Sequence, residues 1–110
     1  MTYNIAHRII VETPIFSRLI QELMSDDQYR LLQEALITRP DAGAIIRGSG
    51  GLRRIRWRLE GGGKRGGIRV IYYWLTADDQ LRMLYAYKKS DQGDLTSDQL
   101  AVLKEVIQRW

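Results

Sequence analysis

The chain has 110 residues, enough for one domain around a single hydrophobic core, and we expect residues 1–110 to form that one domain. Cysteine is absent, which excludes disulfide bonds, thiolate metal sites and a cysteine nucleophile. No run approaches the roughly 18 apolar residues of a membrane span, and the N-terminus lacks a signal-peptide pattern. We therefore expect a soluble, cytoplasmic protein.

The net charge of +4 is unevenly distributed along the chain. The segment from Arg47 to Arg69 has eight basic side chains and one acidic side chain, Glu60, so it carries +7 while the remainder carries −3. A local basic patch is expected where a polyanion docks. A solvated face of an ordinary domain would show the same imbalance, so charge alone leaves both interpretations open.

The first third of the chain predicts a strand followed by two helices. Residues 3–11 read as a short strand, and the Thr13-Pro14 pair is typical of a helix start. Residues 25–28 have the form of a capping box for a second helix, which should end before Pro40. Apolar residues recur at helical spacing behind both starts: Phe16, Leu19, Ile20, Leu23, Tyr29, Leu32, Ala35 and Leu36.

The middle of the chain alternates with a period of two, which indicates strands. In residues 52–59 the apolar side chains Ile55, Trp57 and Leu59 occupy one face, while arginines 54, 56 and 58 occupy the other. Residues 61–67 are expected to form a glycine-rich hairpin tip that bears two cations. The next strand, residues 68–75, is apolar on both faces except at Arg69, so it should be central in the sheet.

The last third predicts a turn at residues 78–80, a strand over residues 81–87, and a helix begun by the capping box of residues 96–99. The apolar stripe of that helix is Leu100, Leu103, Val106, Ile107 and Trp110. The order β-α-α-β-β-β-α predicts an α+β fold with helices packed on an antiparallel sheet. We expect the helices to leave one side of that sheet open.

Basic and aromatic side chains should meet on the open side of the sheet. Arginine binds phosphate through a planar fork, and aromatic faces stack on unpaired bases. Arg69 is costly to bury without a matching charge, so a substrate phosphate is a natural partner. The alternative is that Arg69 lies near a strand end and pairs with Asp91 or Asp94. The expected members of this surface are Arg54, Arg56, Arg58, Lys64, Arg65, Arg69, Tyr72, Tyr73, Tyr85, Tyr87, Lys88 and Lys89.

The missing residue types narrow the chemistry. The one histidine, His7, lies far from the basic segment in sequence and is expected to be a structural or surface residue, so two-histidine ribonuclease chemistry has no candidates. No metal-ligand spacing occurs, and the glycine-rich loop lacks the phosphate-loop pattern. Catalysis would have to use lysine, arginine and tyrosine. Crowded cations lower the pKa of a lysine, which makes it usable as a base, and guanidinium groups stabilise a phosphorane.

Three stretches of this sequence resemble the RelE/ParE toxin superfamily, and specifically its HigB-like branch. They are residues 48–56 (GSGGLRRIR), residues 63–73 (GKRGGIRVIYY), and Tyr87-Lys88-Lys89-Ser90-Asp91 with Asp94-Leu95-Thr96. The resemblance implies a RelE-like fold, similar to small microbial ribonucleases. It also implies the toxin of a type II toxin–antitoxin pair. Such toxins enter the ribosomal A site and cut mRNA by attack of the ribose 2′-hydroxyl, with no metal or other cofactor.

The resemblance also implies partners and site residues. The partners would be the ribosome and mRNA, a HigA-like helix-turn-helix antitoxin, and operator DNA through the antitoxin complex, with no membrane involved. By position, Arg54 and Arg56 match the basic pair of the second strand, Arg69 grips the scissile phosphate, and Lys89 follows the last strand. Lys64 of the glycine-rich loop completes the implied catalytic set. Contacts with RNA or the ribosome are expected from Arg53, Arg58, Lys64, Arg65, Lys88, Tyr73 and Tyr87.

The chain departs from the RelE-type pattern at the general base. RelE-type members place a tyrosine near the start of the last helix, where this chain has Leu95, and the nearest tyrosines are Tyr87 and Tyr73. Arginine stays protonated and is a poor base, which leaves Lys64 or Lys89 as better candidates. Two other functions stay open. One is a ParE-like toxin that poisons DNA gyrase, which the basic residues argue against, and the other is a nucleic-acid-binding module without activity.

Overall fold

The computed structural model describes residues 8–59 and 67–110 of the chain. The first part of the predicted strand 3–11, His7, and most of the glycine-rich loop with Lys64 and Arg65 lie outside these ranges. In chain order the described elements are β1 (Ile9–Glu12), α1 (Pro14–Leu23), α2 (Asp26–Thr38), β2 (Ala44–Ile45), β3 (Arg53–Trp57), β4 (Ile68–Leu75), β5 (Gln80–Lys88) and α3 (Ser97–Arg109).

All three helices begin where the capping residues predict. The Thr13 hydroxyl accepts a hydrogen bond from the Phe16 N–H at 3.1 Å, and the Ser25 hydroxyl accepts one from the Gln28 N–H at 3.2 Å. At α3 the capping box is complete, because the Thr96 hydroxyl accepts from the Gln99 N–H and the Gln99 side chain accepts from the Thr96 N–H. These bonds satisfy backbone donors that a helix start otherwise leaves unpaired.

The strands form one sheet in the order β1-β5-β4-β3-β2, with β4 in the centre as predicted. The expected fully antiparallel sheet is wrong in one respect, since β1 pairs with β5 in parallel. Strands β2 to β5 follow one another through short connections that favour antiparallel pairing, whereas β1 is separated from them by two helices. The strand β2 was not predicted, because two residues are too few to show a period.

Helices cover both faces of the sheet. On one face α1 and α2 bury a core that includes Phe16, Leu32, Val70 and Met83. On the other face α3 packs its Leu103, with its neighbouring apolar positions, onto a second cluster. The buried strand residues of that second cluster are Leu52, Ile71, Leu84 and Tyr87.

The expectation that the helices leave one side of the sheet open is therefore wrong for the area under α3. The physical reason is visible in β4, whose apolar side chains point to both faces and need cover on both. Beyond the area that α3 covers, the second face of the sheet carries polar side chains, among them Arg56 and Arg69. In the described ranges no helix is both long and apolar enough to cross a membrane.

A buried tyrosine fixes the connection between α2 and β2. The Tyr72 hydroxyl donates to the Pro40 carbonyl at 2.7 Å and accepts from the Gly43 N–H at 2.8 Å. A Cβ on residue 43 would lie 2.8 Å from the Tyr72 ring, so only glycine fits there. This anchor holds the start of the β2–β3 hairpin on the central strand.

Candidate functional site

The registers of three neighbouring strands bring basic residues together on the second face of the sheet. Arg56 of β3 lies opposite Arg69 of β4, and Arg69 lies opposite Tyr87 of β5. Arg54 is two residues before Arg56 and therefore projects from the same face of β3. We call Arg54, Arg56, Arg69 and Tyr87 the arginine cluster.

Arg69 is the buried centre of the arginine cluster, with 7% of its surface exposed. No hydrogen bond or ion pair is formed by its guanidinium with any residue in the ranges 8–59 and 67–110. Burial, followed by the charge of Arg56, lowers the pKa of Arg69, while Tyr87 acts in the opposite direction. The group nevertheless stays protonated, as arginines in proteins do. A buried cation without a partner is costly, and an anionic ligand would offset that cost.

A glycine makes room for the Arg69 side chain. Gly67 has a φ of +135°, a left-handed conformation that side chains rarely adopt. A Cβ at this position would lie 3.3 Å from Nη1 of Arg69 and 3.5 Å from the Trp57 carbonyl oxygen. The last glycine of the glycine-rich loop therefore has a structural role next to the buried guanidinium.

Tyr87 is the second buried polar group of the arginine cluster. It is 5% exposed, and its hydroxyl has no hydrogen-bond partner among the residues that the structure describes. Burial, followed by the charge of Asp94, raises the pKa of Tyr87, and the guanidinium groups of Arg54 and Arg69 act against this. The phenol is therefore protonated at neutral pH, when it can donate a hydrogen bond and cannot serve as a base.

Arg54 differs from Arg69 because it has a partner. Its Nη1 forms an ion pair with Oδ1 of Asp94, in the connection between β5 and α3. The same carboxylate oxygen accepts the Leu95 N–H at 2.8 Å, and the Asp94 carbonyl accepts from the Gln92 side chain at 2.8 Å. This corrects the alternative in which Asp94 neutralises Arg69, because Asp94 pairs with Arg54 instead.

The three arginines of the arginine cluster differ in their exposure to solvent. The Arg56 side chain is exposed, Arg54 is partly exposed, and Arg69 lies at the bottom. Three guanidinium groups face one carboxylate, that of Asp94, so the described part of the site has an excess of positive charge. Planar guanidinium forks bind tetrahedral oxyanions and stabilise additional negative charge on them, which is the chemistry required for phosphoryl transfer.

Lys89 reaches the same end of the sheet as Arg69. The Lys89 N–H donates to the Gly67 carbonyl at 3.2 Å. Lys89 and Gly67 therefore lie side by side, just beyond the paired parts of β5 and β4. Lys88, the last residue of β5, is exposed, and the alternation of the strand assigns it to the face opposite Tyr87. Lys64 and Arg65 belong to residues outside the described ranges.

Other predicted contacts lie away from the arginine cluster. Arg53 projects from the opposite face of β3, and its Nη1 donates to the Gly43 carbonyl at 2.8 Å and the Asp41 carbonyl at 3.3 Å. Arg58 is exposed just beyond the end of β3. Tyr73 is half-buried in the cluster beneath α3, against Gly51.

Sequence reasoning missed the role of Asp94 as counter-ion to Arg54. The available signal was the position of Asp94 two residues before the N-cap Thr96, in the short connection between β5 and α3. No group of three or more histidine, cysteine, aspartate or glutamate residues that could hold a metal ion occurs within the described ranges.

No protein-family model matches this chain. Among solved structures it is similar to the Escherichia coli toxin RelE in the free state, in a variant with two arginines replaced by alanine. The TM-score is 0.59 at 14% sequence identity, and the alignment covers 79% of this chain and 88% of that one. The α+β architecture is thus a RelE-like fold, as predicted. A likeness at this identity defines the fold alone.

Proposed function

We propose that this protein is the toxin of a type II toxin–antitoxin pair, of the HigB-like branch, and that it cleaves mRNA in the ribosomal A site. The observation that carries the proposal is the buried Arg69 guanidinium, which has Arg56 and Tyr87 as its cross-strand neighbours and lacks an anionic partner in the described ranges. A phosphodiester supplies the missing negative charge. The RelE-like fold supports the same function.

The reaction proposed is attack of a ribose 2′-hydroxyl on the adjacent phosphorus. The new bond from the 2′-oxygen forms as the bond to the 5′-oxygen breaks, which leaves a 2′,3′-cyclic phosphate and a 5′-hydroxyl. A base takes the proton of the 2′-hydroxyl, and an acid returns one to the 5′-oxygen. Arg56 and Arg69 stabilise the negative charge of the phosphorane, and Tyr87 donates a hydrogen bond to one of its oxygens.

The general base is assigned to a lysine. Tyr87 is held protonated, and arginine does not give up its proton at neutral pH. Lys89 is next to Gly67 at the mouth of the site, and Lys64 is the second candidate from the glycine-rich loop. The ribosome would orient the RNA against this base, because correct positioning of the reacting groups supplies a large part of the rate.

The partners follow from this proposal. The toxin would act in the cytoplasm, bind a HigA-like helix-turn-helix antitoxin, and reach operator DNA only in that complex. RNA or ribosomal contacts outside the arginine cluster are assigned to five cations and one aromatic side chain. They are Arg58, Lys64, Arg65 and Tyr73, with Arg53 and Lys88 acting from the opposite face.

Primer extension on ribosome-bound message tests this function. Cells that express the protein should show cuts within codons occupied by ribosomes, and cells that express Arg69→Ala should not. Arg30→Ala, which removes an exposed arginine from α2 behind the sheet, is the matched control and should cut as the parent does. Intact message in growth-arrested cells would overturn the proposal. Broken chromosomal DNA would then indicate gyrase poisoning, and its absence a binding module.

A further inference from the structure

Asp94 forms an ion pair with Arg54, and the two side chains differ greatly in exposure. The Asp94 side chain is 67% exposed, whereas Arg54 is 29% exposed and projects from the paired strand β3. Ion pairs of such accessibility contribute little to stability and are readily exchanged for another anion. The Asp94 carboxylate also accepts a hydrogen bond from the Leu95 N–H. An Asp94 carboxylate displaced from Arg54 would therefore still have a hydrogen-bond partner.

Arg54 is also displaced along β3 from Arg56, although its charge still acts on the pKa of Tyr87 and of Arg69. It lies two residues from Arg56 along β3, which is about 6.7 Å on an extended strand. Its row across the sheet continues through Ile71 and Tyr85, whereas the row of Arg56 continues through Arg69 and Tyr87. The two rows therefore place Arg69 and Arg54 side by side, and within the described ranges Arg54 has a carboxylate partner, Asp94, whereas Arg69 has none.

We propose that Arg54 forms a second phosphate subsite, which the Asp94 carboxylate fills until the neighbouring phosphate of a bound nucleic-acid strand displaces it. The inference rests on the proposed function, in that the row of Arg69 receives the first phosphate. Asp94 thereby acts as a specificity-determining residue. Among the charges that shift the pKa of Arg69, that of Asp94 has the smallest effect, so Asp94 costs a single phosphate little at Arg69. It makes the second contact available only to a strand whose next phosphate competes for Arg54.

Binding of a deoxythymidine tetranucleotide tests the proposal, because this probe has consecutive phosphates and lacks the 2′-hydroxyl required for cleavage. Titration calorimetry on the full chain should show that Asp94→Asn binds the probe about two- to fivefold more tightly than the parent. Asp91→Asn is the matched control, because it removes the same charge from the same connection and Asp91 has no ion pair within the described ranges. Its effect should stay below about twofold.

The double variant Arg54→Ala/Asp94→Asn distinguishes displacement of Asp94 from Arg54 from the general effect of removing a negative charge near the site. In the absence of Arg54, the change Asp94→Asn should no longer improve affinity over Arg54→Ala alone. A deoxythymidine 5′-monophosphate probe should bind the parent and Asp94→Asn with similar affinity. The proposal is overturned if Asp94→Asn binds the tetranucleotide as Asp91→Asn does or more weakly, or if its gain persists without Arg54.

A second variant controls for misfolding, and the absence of the ribosome separates this binding test from the cleavage assay. Should Asp94→Asn fold poorly, Asp94→Ser retains a short oxygen acceptor for the Leu95 N–H and tests the same displacement. The titration contains no ribosome, so its result is independent of primer extension. Intact message with a confirmed Arg54–Asp94 coupling refutes the cleavage function alone, whereas cut message without coupling refutes the second subsite alone.

Discussion

The Tyr87 hydroxyl and the Arg69 guanidinium belong to directly opposed residues of neighbouring strands. The Tyr87 hydroxyl is buried without a hydrogen-bond partner, and Arg69, which is 7% exposed, forms no hydrogen bond or ion pair in the described part of the chain. One group is a donor held in its protonated form, and the other is a fixed cation. Unpaired buried polar groups reduce stability, and such costs persist where function requires them. An oxyanion between them would satisfy both groups at once.

Replacement of Arg69 should separate stability from function. We expect Arg69→Met to raise the free energy of unfolding by about 1 kcal/mol or more, because an apolar side chain of similar length removes an unpaired buried charge and its repulsion from Arg56. The same variant should lose toxicity. Urea denaturation and growth assays measure the two effects, with Arg30→Met as the exposed control. A clear loss of stability would mean that the guanidinium has a partner that contributes to folding.

Tyr87 should make the stability fall at high pH. Its pKa is raised in the folded protein, so above the ordinary tyrosine pKa of about 10 the unfolded chain releases a proton that the folded chain retains. The unfolded state is thereby favoured as the pH rises. Tyr87→Phe should show a smaller decrease in the free energy of unfolding between about pH 8 and 11. Chemical denaturation at both pH values checks this, and an unchanged decrease would contradict the assignment.

The same variant tests whether Tyr87 donates or accepts a proton in the reaction. As a hydrogen-bond donor in its protonated form, Tyr87 should matter equally at all pH values below its raised pKa. Tyr87→Phe should therefore lower the rate of ribosome-dependent cleavage by a constant factor between about pH 6 and 9. A rate deficit that grows with pH would instead identify the phenolate as the base.

Gly67 should tolerate no side chain. Gly67→Ala forces a Cβ into a left-handed backbone and against the Arg69 guanidinium, so we expect a loss of about 1 to 3 kcal/mol and reduced toxicity. Gly93→Ala is the control, because a Cβ there meets nothing within 4 Å and no left-handed φ is required. Thermal unfolding compares the two. Equal stability of both variants would show that the close approach at Gly67 is not important.

Tyr72 should matter for folding and not for chemistry. Tyr72→Phe leaves the Gly43 N–H and the Pro40 carbonyl without their buried partner, which should cost about 1 to 3 kcal/mol. Tyr85→Phe removes only a 3.3 Å hydrogen bond from the Gln99 side chain and should cost less. Denaturant unfolding orders the two variants. Because Tyr72 faces the core under α1 and α2, cleavage per folded molecule should be unchanged.

Local sequence signals predicted most of the fold. The capping residues Thr13, Ser25 and Thr96 define helix starts because their hydroxyl groups satisfy backbone donors a few residues away. The two apolar faces of β4 predicted its central position. The parallel pairing of β1 and the short strand β2 were missed, because the first depends on the path of two intervening helices and the second is too short for any periodicity.

For the candidate site, the sequence by itself determined which side chains project from one face of β3, because alternation along a strand is a local property. It also determined that Arg69 would be exceptional in an apolar strand. Only the tertiary structure decided that Arg56, Arg69 and Tyr87 are opposed in register, and that Asp94 neutralises Arg54 and leaves Arg69 unpaired. Register and ion pairing join residues far apart in the chain, so no local pattern encodes them.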